Sequence, residues 1–392
     1  MLPNKLPVQS KYGKIYLSHR RGMKMLIKKV LALVLSLALF VSMTACGEKN
    51  GDSSNGGKDD KPYVAVVSKG FQHQFWQIVK KGAGQAATDL GVTLTFEGPQ
   101  TESDVNQQVE MLKSAMNKQP AAICLAALDT SSVVEQLNEC RNKNIPVVGF
   151  DSGVPEAPEG SIYATASTDN YQAAAIAAEQ LLKSERFLDK LQSGNNVVVG
   201  VLSQDAISDS ILQRTSGFID TLVEGLEAMK GFAGAVEVVG HDTFRKNASS
   251  PAKVTIRVNV PATTAAADMK TGAEALLSTQ NLGAIYGSNE NAAGGILAAS
   301  NDGNDFNREN GKFKEIIAIG FDAGKTQRTA VENGWFYGSV TQDPYQIGYQ
   351  AVALAVDAIN GKPAERPVVD TGAKWYDADA LKDESISQLV YE

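Results

Sequence analysis

Two short stretches carry the chemistry most openly. Gly149-Phe150-Asp151-Ser152-Gly153 and Gly320-Phe321-Asp322-Ala323-Gly324 agree at four of five positions, and each sets an aspartate directly after an apolar run. In open parallel sheets, ligands bind beyond the carboxyl ends of the strands, where side chains and helix N-termini converge. The residues just past the apolar runs are Ser68, Lys69, Asp129, Asp151, Ser152, Ser203 to Asp205, Asn289, Glu290 and Asp322. Short polar groups and carboxylates of this kind suit hydroxyl recognition, because a carboxylate accepts from two hydroxyls and an asparagine both donates and accepts.

Each position also has a plainer use. Asp or Ser after a strand often caps the next helix, and that is the role expected of Asp129 and Ser203. Their paired placement marks Asp151 and Asp322 instead as ligand contacts. Phe75, Trp76 and Phe321 offer flat faces for the apolar side of a ring, although aromatic residues at helical spacing also build cores. Adjacent Phe75 and Trp76 cannot both point straight inward, so both uses stay open, as they do for His73 between ligand contact and solvated loop.

Catalytic signatures are absent where they would show. The chain has no phosphate-binding glycine loop, no paired-histidine zinc helix and no nucleophile-elbow serine. Gly82-Ala83-Gly84-Gln85-Ala86-Ala87 has dinucleotide-loop spacing, but it lies inside a helical stretch well past the preceding strand. With only His19, His73 and His241, a metal cluster or histidine triad has almost no material. A binding protein is expected, without cofactor or metal.

Apolar runs alternating with helical-period segments position these residues, the signature of a parallel sheet covered by helices. Strands are expected at 63–68, 93–97, 121–128 and 146–150, with helices at 75–90, 102–117 and 131–142 between them. The alternation restarts with strands at 197–202, 235–239, 284–287 and 316–321 and helices at 211–229, 265–277 and 292–299. This predicts an α/β protein of two doubly wound parallel-sheet lobes, with residues 241–261 as an extra hairpin on the second.

The start of the chain says where this fold works. Lys24, Lys28 and Lys29 precede an apolar run over 30–41, and small residues lead into Met43-Thr44-Ala45-Cys46, the pattern of a secretory signal ending on a cysteine. The run is short for a membrane span, which needs about 20 residues. Residues 1–45 are read as a signal peptide whose first 22 residues are an extension ahead of the true start at Met23 or Met25. Gly, Ser, Asn and Asp then dominate residues 46–61, a flexible tether. Removing residues 1–45 takes away eight basic residues and leaves 29 basic against 44 acidic, a net charge of −15 that excludes nucleic acid as a natural partner. Of the remaining cysteines, Cys124 and Cys140 are expected as buried thiols rather than a disulfide.

The leader resembles the lipobox of bacterial lipoproteins, which implies a diacylated Cys46 anchored to the cell membrane. The body resembles the ribose-type periplasmic binding proteins, the sugar-binding subunits of ATP-driven (ABC) importers. The matching residues are Val66-Val67-Ser68 with Phe75-Trp76, Gly149-Phe150-Asp151, Thr168-Asp169-Asn170, Arg214 with Gly217-Phe218, Gly287-Ser288-Asn289-Glu290, Gly320-Phe321-Asp322, and Gln342-Asp343-Pro344-Tyr345-Gln346-Ile347-Gly348. The resemblance implies stacking by Phe75 and Trp76 and hydrogen bonds from Asp151, Asn289, Asp322 and Gln342. Where pentose binders carry arginine this chain has Ser152, a second ligand arginine aligns with Leu212, and Ala127 replaces a contacting asparagine. Arg214 then stands at a position that reads as structural, though it is counted with Lys69, Ser152 and Thr168 in the expected ligand-binding set. Lys69, Phe96-Glu97-Gly98-Pro99 and Asp151-Ser152 are similar to the autoinducer-2 binding branch of the same superfamily.

The resemblance further implies three crossings between lobes, near 167–170, 342–344 and 370–373. These give one lobe from 62–168 plus 343–371 and another from 169–342 plus 372–392. It implies hinge closure over a small polyhydroxylated ligand and recognition of the closed monomer by an ABC permease outside the cytoplasm. A sensory receptor presenting ligand to a membrane signalling partner is the alternative. A repressor of the lactose type shares the two-lobe core but needs an N-terminal helix-turn-helix, and a lipobox and acidic tether stand there instead.

Overall fold

The structure, a computed structural model, describes residues 61–391; the leader, Cys46 and the tether lie outside the described residues. The first part of the chain runs β1 (Tyr63–Val67), α1 (Gln74–Leu90), β2 (Thr93–Glu97), α2 (Val105–Asn117), β3 (Ala122–Leu125), α3 (Val134–Asn142), β4 (Val147–Phe150) and β5 (Thr165–Ser167). It continues through α4 (Asn170–Lys183), α5 (Glu185–Gln192), β6 (Val197–Leu202), α6 (Asp209–Glu227), β7 (Val236–Val239), β8 (Val254–Asn259), α7 (Ala266–Leu277), β9 (Leu282–Gly287), α8 (Glu290–Ala298), β10 (Ile317–Phe321), α9 (Lys325–Glu332) and β11 (Phe336–Gln342). The last part is α10 (Pro344–Ile359), β12 (Val368–Asp370), β13 (Ala373–Tyr376) and α11 (Glu384–Ser387).

Two sheets result, in the orders β12-β5-β4-β3-β1-β2 and β13-β11-β10-β9-β6-β8-β7. Every pairing is parallel except β11 with β13. The central strands are buried along their whole length, as in Val197–Leu202 and Leu282–Gly287, because helices cover both faces of each sheet. Three connections pass between sheets: β5 to α4, β11 to α10, and β12 to β13. After the second, α10 packs on α1 and against β3, β4 and β5. Two of the crossings are locked at helix starts, where Asp169 accepts from the Gln172 N–H at 3.0 Å and Asp343 from the Gln346 N–H at 2.9 Å. Pro344 follows Asp343 at the first helical position, where its missing N–H costs nothing.

Each lobe contains a helix crossing at backbone contact. A Cβ on Gly82 of α1 would lie 2.0 Å from the carbonyl oxygen of Tyr345 of α10, and one on Gly217 of α6 would lie 2.2 Å from that of Tyr171 of α4. Only glycine lets these backbones approach so closely.

Residues 241–261 are not an added hairpin. Val254–Asn259 is an integral strand, inserted between β6 and β7 and parallel to both. Its β-branched alternation looked like an exposed hairpin because Arg257 alone is exposed on a strand that is otherwise covered. Cys124 and Cys140 are both free and buried, and burial pushes their thiols up to about 12 and about 11.

Candidate functional site

The carboxyl ends of β1 and β4 face those of β6, β9, β10 and β11 across a cleft between the sheets. Asp151 and Asp322, just past β4 and β10, both sit in the left-handed backbone region, with φ of 56° and 77°. That conformation is strained for a side-chain-bearing residue and persists only when its surroundings fix it. For Asp322 the fixing is visible: its carbonyl oxygen accepts from Gln327 Nε2, Ser339 Oγ and the Tyr376 hydroxyl, each at 2.9 Å. The Asp151 carbonyl accepts from Ser167 Oγ at 2.7 Å. The repeated five-residue stretch is thus a device that turns the backbone and points one carboxylate from each lobe into the cleft.

Arg214 of α6 lies between these carboxylates, 3.9 Å from Asp151 and 3.6 Å from Asp322. Its Nε donates to Asn170 Oδ1 at 2.7 Å, and its guanidinium lies 4.1 Å above the Phe321 ring. Asn170 in turn donates to the Thr168 carbonyl at 3.0 Å, which ties the arginine to the first crossing. Arg214 therefore both faces the cavity and braces the hinge.

A second charged group stands opposite. Lys69 is 2% exposed, donates across the cleft to Ser210 Oγ at 3.2 Å and Ser208 Oγ at 3.4 Å, and lies 3.9 Å from Glu102. Glu102 accepts from Trp76 Nε1 at 2.7 Å and, across the cleft, from Gln204 Nε2 at 3.1 Å. Burial alone would raise the Glu102 carboxyl, but Lys69, His73 and these two donors outweigh it and hold the group below its ordinary value. The balance differs elsewhere. Burial pushes Asp151 up to about 6 against the pull of Lys69 and Arg214, and it pushes Glu290 up to about 7, with His73 opposing and Asp322 adding to the rise.

The cavity these groups form is lined by Lys69, His73, Phe75, Trp76, Glu102, Asp151, Ser210, Ile211, Arg214, Asn289, Glu290, Asp322 and Gln342. Residues 64–363 match the family model of the periplasmic binding protein domain. The chain belongs to that family.

Relatives of this periplasmic binding protein agree over most of their length. It is 27% identical over 298 residues to the D-allose-binding periplasmic protein of Escherichia coli, covering 75% of this chain and 83% of that one. It is 22% identical over 345 residues to a ribose import binding protein of Bacillus subtilis, covering 87% and 97%. Among solved structures, a Brachyspira murdochii protein described as an ABC transporter, LacI family transcriptional regulator, is 38% identical with a TM-score of 0.70, covering 85% of this chain and 99% of that one. An ABC transporter solute binding protein of Agrobacterium vitis with bound D-fucose is 25% identical with a TM-score of 0.68, covering 84% and 100%. The two-lobed fold is shared with these structures, and the family is one of binding proteins rather than enzymes.

Eight of the ten expected ligand-binding residues of this periplasmic binding protein line the cavity: Lys69, Phe75, Trp76, Asp151, Arg214, Asn289, Asp322 and Gln342. Phe75 and Trp76 are both buried and both reach it, because they meet edge to face at 5.0 Å and 85° rather than pointing side by side. Asn289 serves twice: Oδ1 caps α8 by accepting from the Ala292 N–H at 3.0 Å, while Nδ2 donates to Gln204 Oε1 at 2.6 Å. Two residues stand elsewhere. Ser152 is fully buried and accepts from the Ser210 N–H at 3.3 Å across the lobes, and Thr168 is at the first crossing, where Oγ1 donates to the Gly372 carbonyl at 3.3 Å. Asp129 accepts from the Ser131 and Ser132 N–H groups at 2.7 and 3.2 Å, closing a turn rather than capping the next helix as expected, since α3 has Val133 at its N-cap. Ser203 caps nothing and bonds Thr215 Oγ1 at 2.7 Å.

Glu102 was missed. It was placed inside a helix beginning at 102, whereas α2 begins at Val105 and leaves Glu102 in the loop after β2. Its signal in the sequence is its place beyond the carboxyl end of β2.

Proposed function

We propose that this chain is the extracytoplasmic receptor of an ABC importer, tethered through acylated Cys46, that closes its two lobes over a small sugar or polyol and presents the closed monomer to a permease. One observation carries the reading: each lobe supplies a carboxylate from the same backbone device, and the two converge on one cavity beside Phe75 and Trp76. Carboxylates and amides take hydroxyl donors, and aromatic faces take the apolar face of a ring. The lobes are taken as 62–168 with 343–371 and 169–342 with 372–392, hinged at the three crossings. Lys69, buried in the same cavity, supports an autoinducer-2 type receptor as the second reading.

A thermal-shift screen of pentoses, hexoses, polyols and autoinducer-2 tests the ligand class and separates the two readings. Ligand at 100 times its dissociation constant stabilises the folded state by about 2.7 kcal/mol, and no shift from any compound contradicts the class. Labelled palmitate should enter the wild type and not Cys46→Ala; equal labelling of both contradicts the anchor.

A further inference from the structure

The carboxylates of the cavity are unequally matched by cations. Glu102 has Lys69 at 3.9 Å, and Asp151 and Asp322 share Arg214. Among the described residues, no lysine or arginine forms an ion pair with Glu290. Its Oε2 accepts from the Phe75 N–H at 3.3 Å, and its own N–H is spent on Asp322 Oδ2 at 2.9 Å. The neighbouring Gln342 is 2% exposed and donates Nε2 to Asp322 Oδ1 at 2.6 Å, while its Oε1 is buried without a partner. The amide orientation is fixed by chemistry, since the flipped form would press its oxygen against the Asp322 carboxylate.

This corner of the cavity therefore offers acceptors from three side chains, with one of them orphaned. A hydroxyl brings a single donor and two lone pairs, whereas an ammonium brings three donors and no acceptor. We propose that the ligand is a cationic amino sugar whose ammonium group sits among Glu290, Asp322 and the free Gln342 Oε1. The proposal rests on the sugar reading of the cleft and narrows it. Phe75 lines the same cavity, so its ring is available to a cation as well as to a ring face. Lys69 lies with Glu102, and Arg214 bridges Asp151 and Asp322, so the ammonium is placed on the Glu290 and Gln342 side of Asp322 and the Lys69 and Arg214 side is left to neutral hydroxyls. Burial, partly opposed by His73 and reinforced by Asp322, works against a charged Glu290, and a bound cation removes that penalty.

Calorimetric titration at neutral pH of D-glucosamine, D-galactosamine and D-mannosamine, each against its parent hexose and alongside ribose and arabinose, decides the matter. At least one amino sugar should bind about ten- to a hundredfold tighter than its parent. Glu290→Gln keeps the side chain's size and an acceptor for the Phe75 N–H, and should reduce that preference below about threefold while changing the parent's affinity less. Neutral sugars binding as tightly as their amino counterparts overturn the proposal and leave the sugar reading standing. An unchanged preference in folded Glu290→Gln overturns the assignment of the corner, and silence from every sugar overturns both readings. The wild-type comparison decides the ligand class even where the variant fails to fold.

Discussion

Arg214 carries more structure than its place in the cavity suggests. Removing one partner of a buried charge pair leaves the other desolvated and unpaired, which costs about 3–5 kcal/mol. Arg214→Ala is expected to lose stability of that order in denaturant unfolding, and adding Asp322→Asn should restore part of it; a double variant weaker by the full sum contradicts the pairing. The raised acids give a second expectation. Asp151, raised to about 6, and Glu290, raised to about 7, hold their protons more tightly in the folded state than in the unfolded one. Their contribution to stability is full below the unfolded values and disappears as pH rises through those numbers. Unfolding free energy should therefore fall between about pH 4 and about pH 7, and Asp151→Asn should flatten the slope. An equal slope in both proteins contradicts it. The two aspartates were legible from sequence because a short repeat after an apolar run is visible without coordinates. Glu102 and the hinge role of Arg214 were not, since each depends on partners more than 40 residues away: Gln204 across the cleft for one, Asn170 at the crossing for the other.

Among the elements, the alternation of buried strands and amphipathic helices could be read almost throughout, because strands covered on both faces appear as unbroken apolar runs. Residues 254–259 escaped because the connection before them carries only a short 3₁₀ turn at Asp242–Phe244 and no α-helix, so the strand lacks its usual crossover signal. The helix pairs α1 with α10 and α4 with α6 show a feature that periodicity cannot reveal: backbone contact at Gly82 and Gly217. Gly217→Ala should force the helices apart and cost about 1–3 kcal/mol in thermal unfolding. Gly84→Ala, on the same helix as Gly82 but with nothing within 4 Å of its added carbon, should be neutral or stabilising. Similar losses from both would contradict close approach as the cause.

At the scale of the molecule, the two lobes meet through polar contacts that opening would break. Lys69 with Ser210, Glu102 with Gln204, Ser152 with the Ser210 N–H, and Gln74 with the Lys325 N–H at 2.8 Å all join one lobe to the other. Such groups exchange readily for water, which suits opening and closure by hinge motion. On the proposed function, a ligand held by both carboxylates should shift the population toward closure. The radius of gyration in solution scattering is expected to fall at saturating ligand; an unchanged value contradicts hinge closure. The central claim is that one ligand is held by both Asp151 and Asp322, and titration calorimetry of the sugar giving the largest thermal shift tests it most directly. Asp151→Asn and Asp322→Asn should each weaken one-to-one binding by about ten- to a hundredfold, whereas wild-type affinity in either folded variant would contradict the account.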